Sequence, residues 1–208
     1  MMLQKRLIVI ITTAALWFLL AVPNAQSQSE TPKIEIGVQF AALGLDSVKR
    51  QVSAGSAELT ILRESTDPGF GFRMTRNVNH RVSAEGEINF FPQDRFGRGQ
   101  RTEGLFGVKL SARVENAGVF IKLRPGFVHF GQASSLALSP NGSIFNDTNF
   151  AVDLGGGFEY YPSRHTMVRL DLGETVIRLS GIRCSLAGCP SAVITHNFQF
   201  NLGVGVRF

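Results

Sequence analysis

Long apolar runs are absent from this chain after its first two dozen residues, which excludes a membrane-spanning helix in the rest of it. If that part of the chain lies in a membrane, it must cross as strands. Cysteine is nearly absent, and the pair Cys184 and Cys189 offers too few ligands for a structural metal site. The 21 Lys and Arg and 16 Asp and Glu residues form no basic stripe, so the net charge of +5 does not predict nucleic-acid binding.

The N-terminus has the composition of a secretory signal. A basic start is followed by a mostly apolar stretch at 7–22 and by a polar exit with small residues at 23–27. We therefore expect a signal peptide at 1–27, cleaved near 25–27, and a single domain at 28–208. The alternative is an uncleaved anchor, for which the apolar stretch is short.

The remainder of the chain repeats one pattern, in which bulky apolar residues fill every second position. A period of two indicates β-strands with one apolar face, and the segments number about eight, the smallest count found in membrane barrels. They lie at 34–41, 70–75, 82–90, 106–113, 119–124, 150–161, 168–173 and 196–208.

The connections between these segments alternate strictly between long and short. The long ones are rich in Ser, Gly, Asn and Arg and lie near 44–68, 92–102, 130–148 and 178–195. The short ones lie at 77–81, 115–117 and 162–165. Membrane barrels have long outer loops and short periplasmic turns. The sequence thus predicts an all-β fold, a single eight-stranded antiparallel up-and-down transmembrane β-barrel with four long outer loops and three short periplasmic turns.

The glycines indicate which face of the strands points inward. Most of them share a face with the charged residues, and a narrow barrel has room inside only for small side chains, although Gly86 and Gly156 fall on the apolar face. The apolar face then meets lipid, and the charges form a lumen ion-pair network that fills the barrel. The alternatives for these charges are proton relay or ion passage. The network comprises Glu35, Arg73, Glu85, Glu87, Lys109, Arg113, Lys122, Arg124, Asp153, Glu159, Arg169, Asp171 and Arg207.

The predicted outer loops contain two further candidate features. Cys184 and Cys189 lie close together in an exported chain, so we expect a local disulfide. Arg95, Arg98 and Arg101 cluster in another loop, and arginine pairs with phosphate in bidentate geometry. These three residues are candidate lipopolysaccharide contacts, with an ordinary solvated loop as the alternative.

Residues that could carry catalysis or bind a metal are present without the necessary arrangement. The four histidines, His80, His129, His165 and His196, share no ligand-like spacing, although His129 and His196 could meet at the outer rim. A catalytic serine needs a neighbouring histidine that an acid orients, and nothing in the sequence places such a pair beside loop serines such as Ser134. We therefore expect no metal, no cofactor and no enzymatic activity.

Two local features concern the two strands that the last short turn connects. Tyr160 and Tyr161 are consecutive, so one ring should lie in the aromatic girdle at the membrane interface and the other in the mouth of the lumen. After Gly173 the apolar alternation shifts by one residue at Glu174, which predicts a β-bulge before the last loop.

Three stretches carry a resemblance to a known family: Gly155–Arg169 with its Tyr-Pro-Ser-Arg turn, Arg169–Glu174, and the alternating strand His196–Phe208. Over nearly all of the mature sequence the chain resembles the small outer-membrane barrels typified by the OmpA N-terminal domain and OmpX. The resemblance implies localisation in the bacterial outer membrane, with membrane lipid and lipopolysaccharide as partners. It also implies recognition by the barrel-assembly machinery, through an assembly signal at Val204, Val206 and Phe208.

The resemblance leaves the function open, because one fold supports many roles. We expect a non-enzymatic outer-membrane protein with a structural or surface-interaction role that it performs through its loops. The alternatives are a narrow channel for ions or small solutes, a soluble periplasmic ligand-binding barrel, and a lipid-modifying outer-membrane enzyme.

Overall fold

The fold is described from a computed structural model, which covers residues 32–45, 48–51, 58–62, 65–92, 100–131, 148–180 and 192–208. Among these residues, there is no helix long and apolar enough to cross a membrane. The strands of this part of the chain are β1 Ile34–Leu45, β2 Val48–Gln51, β3 Glu58–Leu62, β4 Ser65–Asn77, β5 Val82–Phe91, β6 Arg101–Val114, β7 Ala117–Phe130, β8 Thr148–Tyr160, β9 Thr166–Ser180 and β10 Ala192–Arg207.

Eight of these described strands form one closed antiparallel barrel, as the alternation predicted. Around the barrel the order is β1, β10, β9, β8, β7, β6, β5, β4, and β1 closes it by pairing with both β10 and β4. Closure leaves no unpaired edge among the eight barrel strands, as a hydrocarbon environment requires. The short strands β2 and β3 pair with each other as a separate hairpin, within the segment that was predicted to be one long loop.

The two ends of the barrel differ in the length of their connections, again as predicted. At one end, here called the turn end, strands are joined by residues 78–81, 115–116 and 161–165. In the first turn the Asn79 side chain accepts hydrogen bonds from the backbone N–H groups of Arg81 and Val82, at 2.8 and 2.7 Å. In the second turn Glu115 has a positive φ of 30°. The opposite end, the loop end, carries the longer connections.

The outer wall of the barrel is an apolar belt. Val38, Phe72 and Val204 are each about half exposed, at 50, 52 and 53 %, and similar side chains surround the barrel. In water such a continuous apolar surface would be unfavourable, whereas lipid requires it. The orientation predicted from the glycines is therefore confirmed, and Gly86 and Gly156 alternate with the inward-facing residues of their strands, as expected.

The predicted bulge at Glu174 was wrong. Strand β9 pairs with β10 without a register shift from Thr166 to Ser180, and its side chains alternate without interruption. Glu174 simply faces outward, while Ile177 and Leu179 face inward. The apparent slip arose because the polarity of the two faces is exchanged toward the loop end, where the inside is apolar and the outside carries polar residues.

Candidate functional site

The described strands turn acidic and basic side chains into the barrel in equal numbers, eight of each. The thirteen residues predicted for the lumen all point inside, and Asp67, Arg101 and Glu103 join them there. The acids are Glu35, Asp67, Glu85, Glu87, Glu103, Asp153, Glu159 and Asp171, and the bases are Arg73, Arg101, Lys109, Arg113, Lys122, Arg124, Arg169 and Arg207. Such a balance is what allows charges to be enclosed, because an unpaired buried charge costs several kcal/mol, of order 3–5.

Arg124 on β7 lies at the centre of this network and is fully buried. Its Nε and Nη2 atoms both donate to Oδ2 of Asp153 on the neighbouring strand β8, at 2.9 and 2.7 Å. Its Nη1 atom reaches across the lumen to Oε1 of Glu85, at 2.8 Å, and also to Glu87. One guanidinium therefore joins three carboxylates from two sides of the barrel, a use that suits the several donors of arginine.

A second cation, Arg169 on β9, continues the network toward the turn end. Its Nη1 and Nη2 atoms donate to the two oxygens of Glu85, at 2.6 and 3.0 Å, and Nη2 also donates to Asp171 at 2.9 Å. Lys122 Nζ lies 2.6 Å from Asp171 and 2.9 Å from Asp153. Glu85, Asp153 and Asp171 thus contact two cations each, so the pairs form a continuous network.

The turn end of the lumen is closed by a cluster around Glu35 and Glu159. Arg113 and Arg207 approach Glu35 Oε1, at 3.1 and 3.3 Å, while Lys109 Nζ lies 2.7 Å from Glu159. Tyr161 is buried and donates its hydroxyl proton to Glu159 at 2.6 Å, and both arginines lie over its ring.

The consecutive tyrosines divide as the sequence predicted. Tyr160 faces outward and is exposed at the turn end, whereas Tyr161 faces the lumen mouth. A single-residue step along the strand is enough to place one ring in the membrane interface and the other inside.

Above the ionic centre, toward the loop end, amide side chains replace ion pairs. Arg73 donates to Gln39 at 3.0 Å, Gln39 donates to Asn89 at 2.9 Å, and Asn89 donates to Glu103 at 3.0 Å. Gln199 donates to the same oxygen of Glu103, Oε1, at 2.9 Å. Glu103 is fully buried and forms no ion pair with a cation among the described residues. Its place in the lumen was not predicted, because Glu103 lies next to the predicted loop at 92–102.

The loop end of the lumen is filled by an apolar layer, which was not predicted from the sequence. Its members are buried residues from five barrel strands, with Val193 packed against them from β10. They are Ala41, Leu43, Leu45, Phe91, Val128, Phe130, Ala151, Ile177 and Leu179. The barrel interior therefore changes along its axis from ion pairs at the turn end, through the amide network, to the apolar layer at the loop end.

Arg101 belongs to this interior, so its predicted place in an outer loop was wrong. It is the first residue of β6, is only 3 % exposed, and forms an ion pair with Asp67 of β4. Its guanidinium lies 5.7 Å from the ring centre of Phe130, on the apolar layer. Because its charge is enclosed, Arg101 is not available to lipid phosphates.

The outer wall near the loop end carries a polar patch. Glu174 of β9 accepts a hydrogen bond from Nδ1 of His196 on β10, and Arg178 lies further along the same face of β9. His129 contacts Thr148 on the neighbouring strand β8, with Nδ1 and Oγ1 2.8 Å apart. His129 and His196 therefore have separate partners and do not meet, and within the described residues no three His, Cys, Asp or Glu side chains form a metal-binding group.

Several predicted features lie outside the described residues. These are the signal peptide at 1–27, Arg95 and Arg98, Ser134, and the cysteines Cys184 and Cys189. The residues of the predicted assembly signal are described: Val204, Val206 and Phe208 all point outward and are exposed on the lipid-facing side of the closing strand.

A closed antiparallel barrel of eight described strands, with an apolar belt outside and paired charges inside, defines an integral membrane barrel of the bacterial outer membrane. The family model for the outer membrane protein beta-barrel domain matches residues 12–208, and the chain belongs to that family. The soluble periplasmic barrel considered from the sequence is thereby excluded. No curated protein sequence matches the chain.

Solved structures of small outer-membrane proteins share the fold. The outer membrane protein OprG of Pseudomonas aeruginosa is 12 % identical and has a TM-score of 0.54, and the alignment covers 86 % of this chain and 96 % of OprG. Outer membrane protein H (OprH) of P. aeruginosa is 16 % identical, with a TM-score of 0.51 and coverage of 85 and 99 %. Neisserial surface protein A is 12 % identical, with a TM-score of 0.51 and coverage of 84 and 97 %.

Proposed function

We propose that the protein is a non-conducting membrane anchor whose outer loops perform a surface-interaction role. The observation that carries this proposal is the double closure of the lumen. Ion pairs from Glu35 to Arg124 close the lumen toward the turn end, and the apolar layer closes it toward the loop end. An ion crossing the barrel would have to separate buried pairs and then enter an apolar core, both of which are unfavourable.

The distribution of chain length supports a role for the loops. Connections at the turn end are minimal, whereas the loop-end connections at 46–64, 93–99, 132–147 and 181–191 are long. A rigid barrel with extended loops on one end is a common way to present binding residues. The predicted contacts of Arg95 and Arg98 with lipopolysaccharide phosphate, and the predicted disulfide between Cys184 and Cys189, belong to these loops and stay proposals.

Recognition by the assembly machinery is a further part of the proposal. The closing strand has an exposed apolar face formed by Val204, Val206 and Phe208. A receptor that binds extended strands could bind this face before the barrel closes. Replacing Phe208 by Ser should reduce the amount of folded protein in the outer membrane without altering the unfolding midpoint of the folded fraction.

Conductance in planar bilayers tests the proposal against the channel alternative. The mature protein should give no unitary conductance steps, while a general porin inserted in the same bilayer gives large ones. Regular steps that scale with salt concentration would refute a non-conducting anchor. The enzyme alternative is tested separately, because a change in the acylation of lipid A after overexpression would establish lipid modification.

Protease access on intact cells tests which end of the barrel carries the interaction surface. Trypsin cleaves after Arg and Lys, and the loop-end connections contain Arg95, Arg98 and Arg183, while the turns contain Arg81 and Arg164. On intact cells we expect cleavage at the first group alone. Cleavage at Arg164 from outside, with Arg95 protected, would place the loops in the periplasm and contradict the proposal.

A further inference from the structure

An ionisable pair lies on the lipid-facing wall of this barrel, where charged groups are costly and rare. Glu174 is directly opposite Leu154 on β8 and Phe198 on β10, and Leu154 is 56 % exposed in the apolar belt. His196, which donates to Glu174, has a side chain that is 53 % exposed. The pair thus has hydrophobic neighbours on both sides.

The depth of the pair can be estimated along β9. Val168 lies opposite Tyr160, at the turn-end border of the apolar belt. Each residue of a tilted strand rises about 2.5 Å along the barrel axis, so Glu174 lies roughly 15 Å and Arg178 roughly 25 Å above that border. The apolar band of such barrels is about 25 Å tall. The pair is therefore inside the outer half of the band, and Arg178 is at its outer edge.

The hydrogen bond between the pair fixes what the patch can offer to a ligand. A carboxylate can only accept a hydrogen bond, so Nδ1 of His196 carries the hydrogen and donates this bond to Glu174. The other ring nitrogen, Nε2, contacts no polar group among the described residues. Arg178 lies diagonally across from His196, because Ile194 is opposite Arg178 and Val176 is opposite His196. Within the described part of the chain, Arg178 forms no hydrogen bond or ion pair.

We propose that Glu174, His196 and Arg178 form a binding site for the phosphorylated headgroup of an outer-leaflet lipid. Arg178 offers several donors at the depth of the headgroup, in the geometry that binds phosphate well. His196, held by Glu174, offers a second polar contact just beneath it. The exposed side chain of Leu154, opposite Glu174, packs against the acyl chains, and Ile194, opposite Arg178, borders the site at the headgroup level. The site is separate from the loops and does not depend on their proposed role.

The surroundings favour a lipid over a free anion. A dissolved phosphate would contact only Arg178 and His196, since Glu174 is itself anionic and its neighbours Leu154 and Phe198 are apolar. Only a ligand with both a phosphate and a hydrophobic part gains from the whole patch. A second copy of the chain is less well matched, because the same patch would bring two Arg178 side chains together across a two-fold axis.

Titration of the folded protein in detergent with bisphosphorylated lipid A tests the site, with binding followed by native mass spectrometry. The double variant Arg178→Ala/His196→Gln should bind the lipid at least about tenfold more weakly, the loss expected when charge-assisted contacts are removed. The matched control is Arg76→Ala, which removes an exposed arginine from β4 at the turn end. It should bind as the unchanged protein does, and unheated gel mobility should confirm that all variants are folded.

Three results would overturn the proposal. The first is equal affinity of the double variant and the unchanged protein. The second is equal binding of lipid A from which both phosphates have been removed. The third is displacement of the lipid by inorganic phosphate at comparable concentrations, which would indicate a simple anion site. A photo-crosslinking residue in place of Val176 gives an independent readout in cells, where the expected adduct is a phosphorylated lipid and an adduct with a second copy would refute the assignment.

Discussion

Removing the central guanidinium should destabilise the barrel far more than removing an exposed arginine does. In Arg124→Met, Asp153 keeps Lys122 at 2.9 Å and Glu85 keeps Arg169 at 2.6 Å. Glu87 loses its single ion pair and keeps only amide partners, including Asn89 at 2.8 Å. Breaking a buried pair by removing one partner costs about 3–5 kcal/mol. With a denaturant slope near 2 kcal/mol/M, the urea midpoint should fall by about 2 M.

The measurement is a urea titration of the protein in detergent micelles, with the folded fraction read from gel mobility without heating. The only tryptophan, Trp17, lies in the predicted signal peptide, so intrinsic tryptophan fluorescence would not report on the mature barrel. Arg76→Met is the control, since it removes an exposed arginine and should change stability by less than about 0.5 kcal/mol.

A double-mutant cycle identifies the cause of the loss. If Glu87 is the carboxylate left without a cation, then Glu87→Gln should recover a large part of the stability when it is added to Arg124→Met. The same change alone should be destabilising, because it removes a partner from Arg124. Should Arg124→Met shift the midpoint no further than Arg76→Met does, the idea that these pairs hold the lumen together would be refuted.

Three further predictions use the same titration. Val108→Arg places a charge on the lipid-facing side and should cost about 2–4 kcal/mol, whereas Gln199→Arg, beside the unpaired Glu103, should cost clearly less; equal losses would contradict the assignment of faces. Gly107→Ala should be destabilising by about 1–3 kcal/mol because a Cβ would meet the Leu123 carbonyl oxygen at 2.1 Å, while Gly86→Ala, with its nearest atom at 3.7 Å, should be tolerated. Glu103→Gln should leave the midpoint unchanged or raise it, since no described cation pairs with this acid, and a large drop would reveal a missing partner.

The sequence was sufficient to predict the barrel because a period of two is a local property. Runs such as Ile34–Phe40 show their alternation regardless of which strands lie beside them. The number of barrel strands, the loop pattern and the inward face can therefore be predicted from the alternation without tertiary information. The inward position of the charged residues follows from the same reasoning. What alternation does not reveal is which acid meets which base, since Arg169 and Glu85 are separated by 84 residues.

The predictions were wrong where the environment of the outer wall changes, because apolar residues do not face outward along the full length of every strand. Beyond the hydrocarbon, the outside meets headgroups and water, so Leu43 and Ile177 turn inward while Arg178 faces out. The strand stays regular and only the chemistry of its faces is exchanged. In the sequence this exchange looks like a slipped register, which is why a bulge was predicted at Glu174. Arg101 was assigned to a loop because the apolar alternation of its strand begins only at Phe106.

The run Gly155–Gly157 shows how packing and electrostatics are linked inside so narrow a barrel. A Cβ on Gly157 would lie 2.7 Å from Cζ of Phe120, so the absence of a side chain there makes room for a buried ring on β7. That ring supports two cations, with Arg169 3.9 Å and Lys109 5.6 Å from its centre. Large and small residues on adjacent strands are thus paired, as is common in small barrels. The glycine run therefore positions Arg169, which in turn makes its two contacts with Glu85 across the lumen.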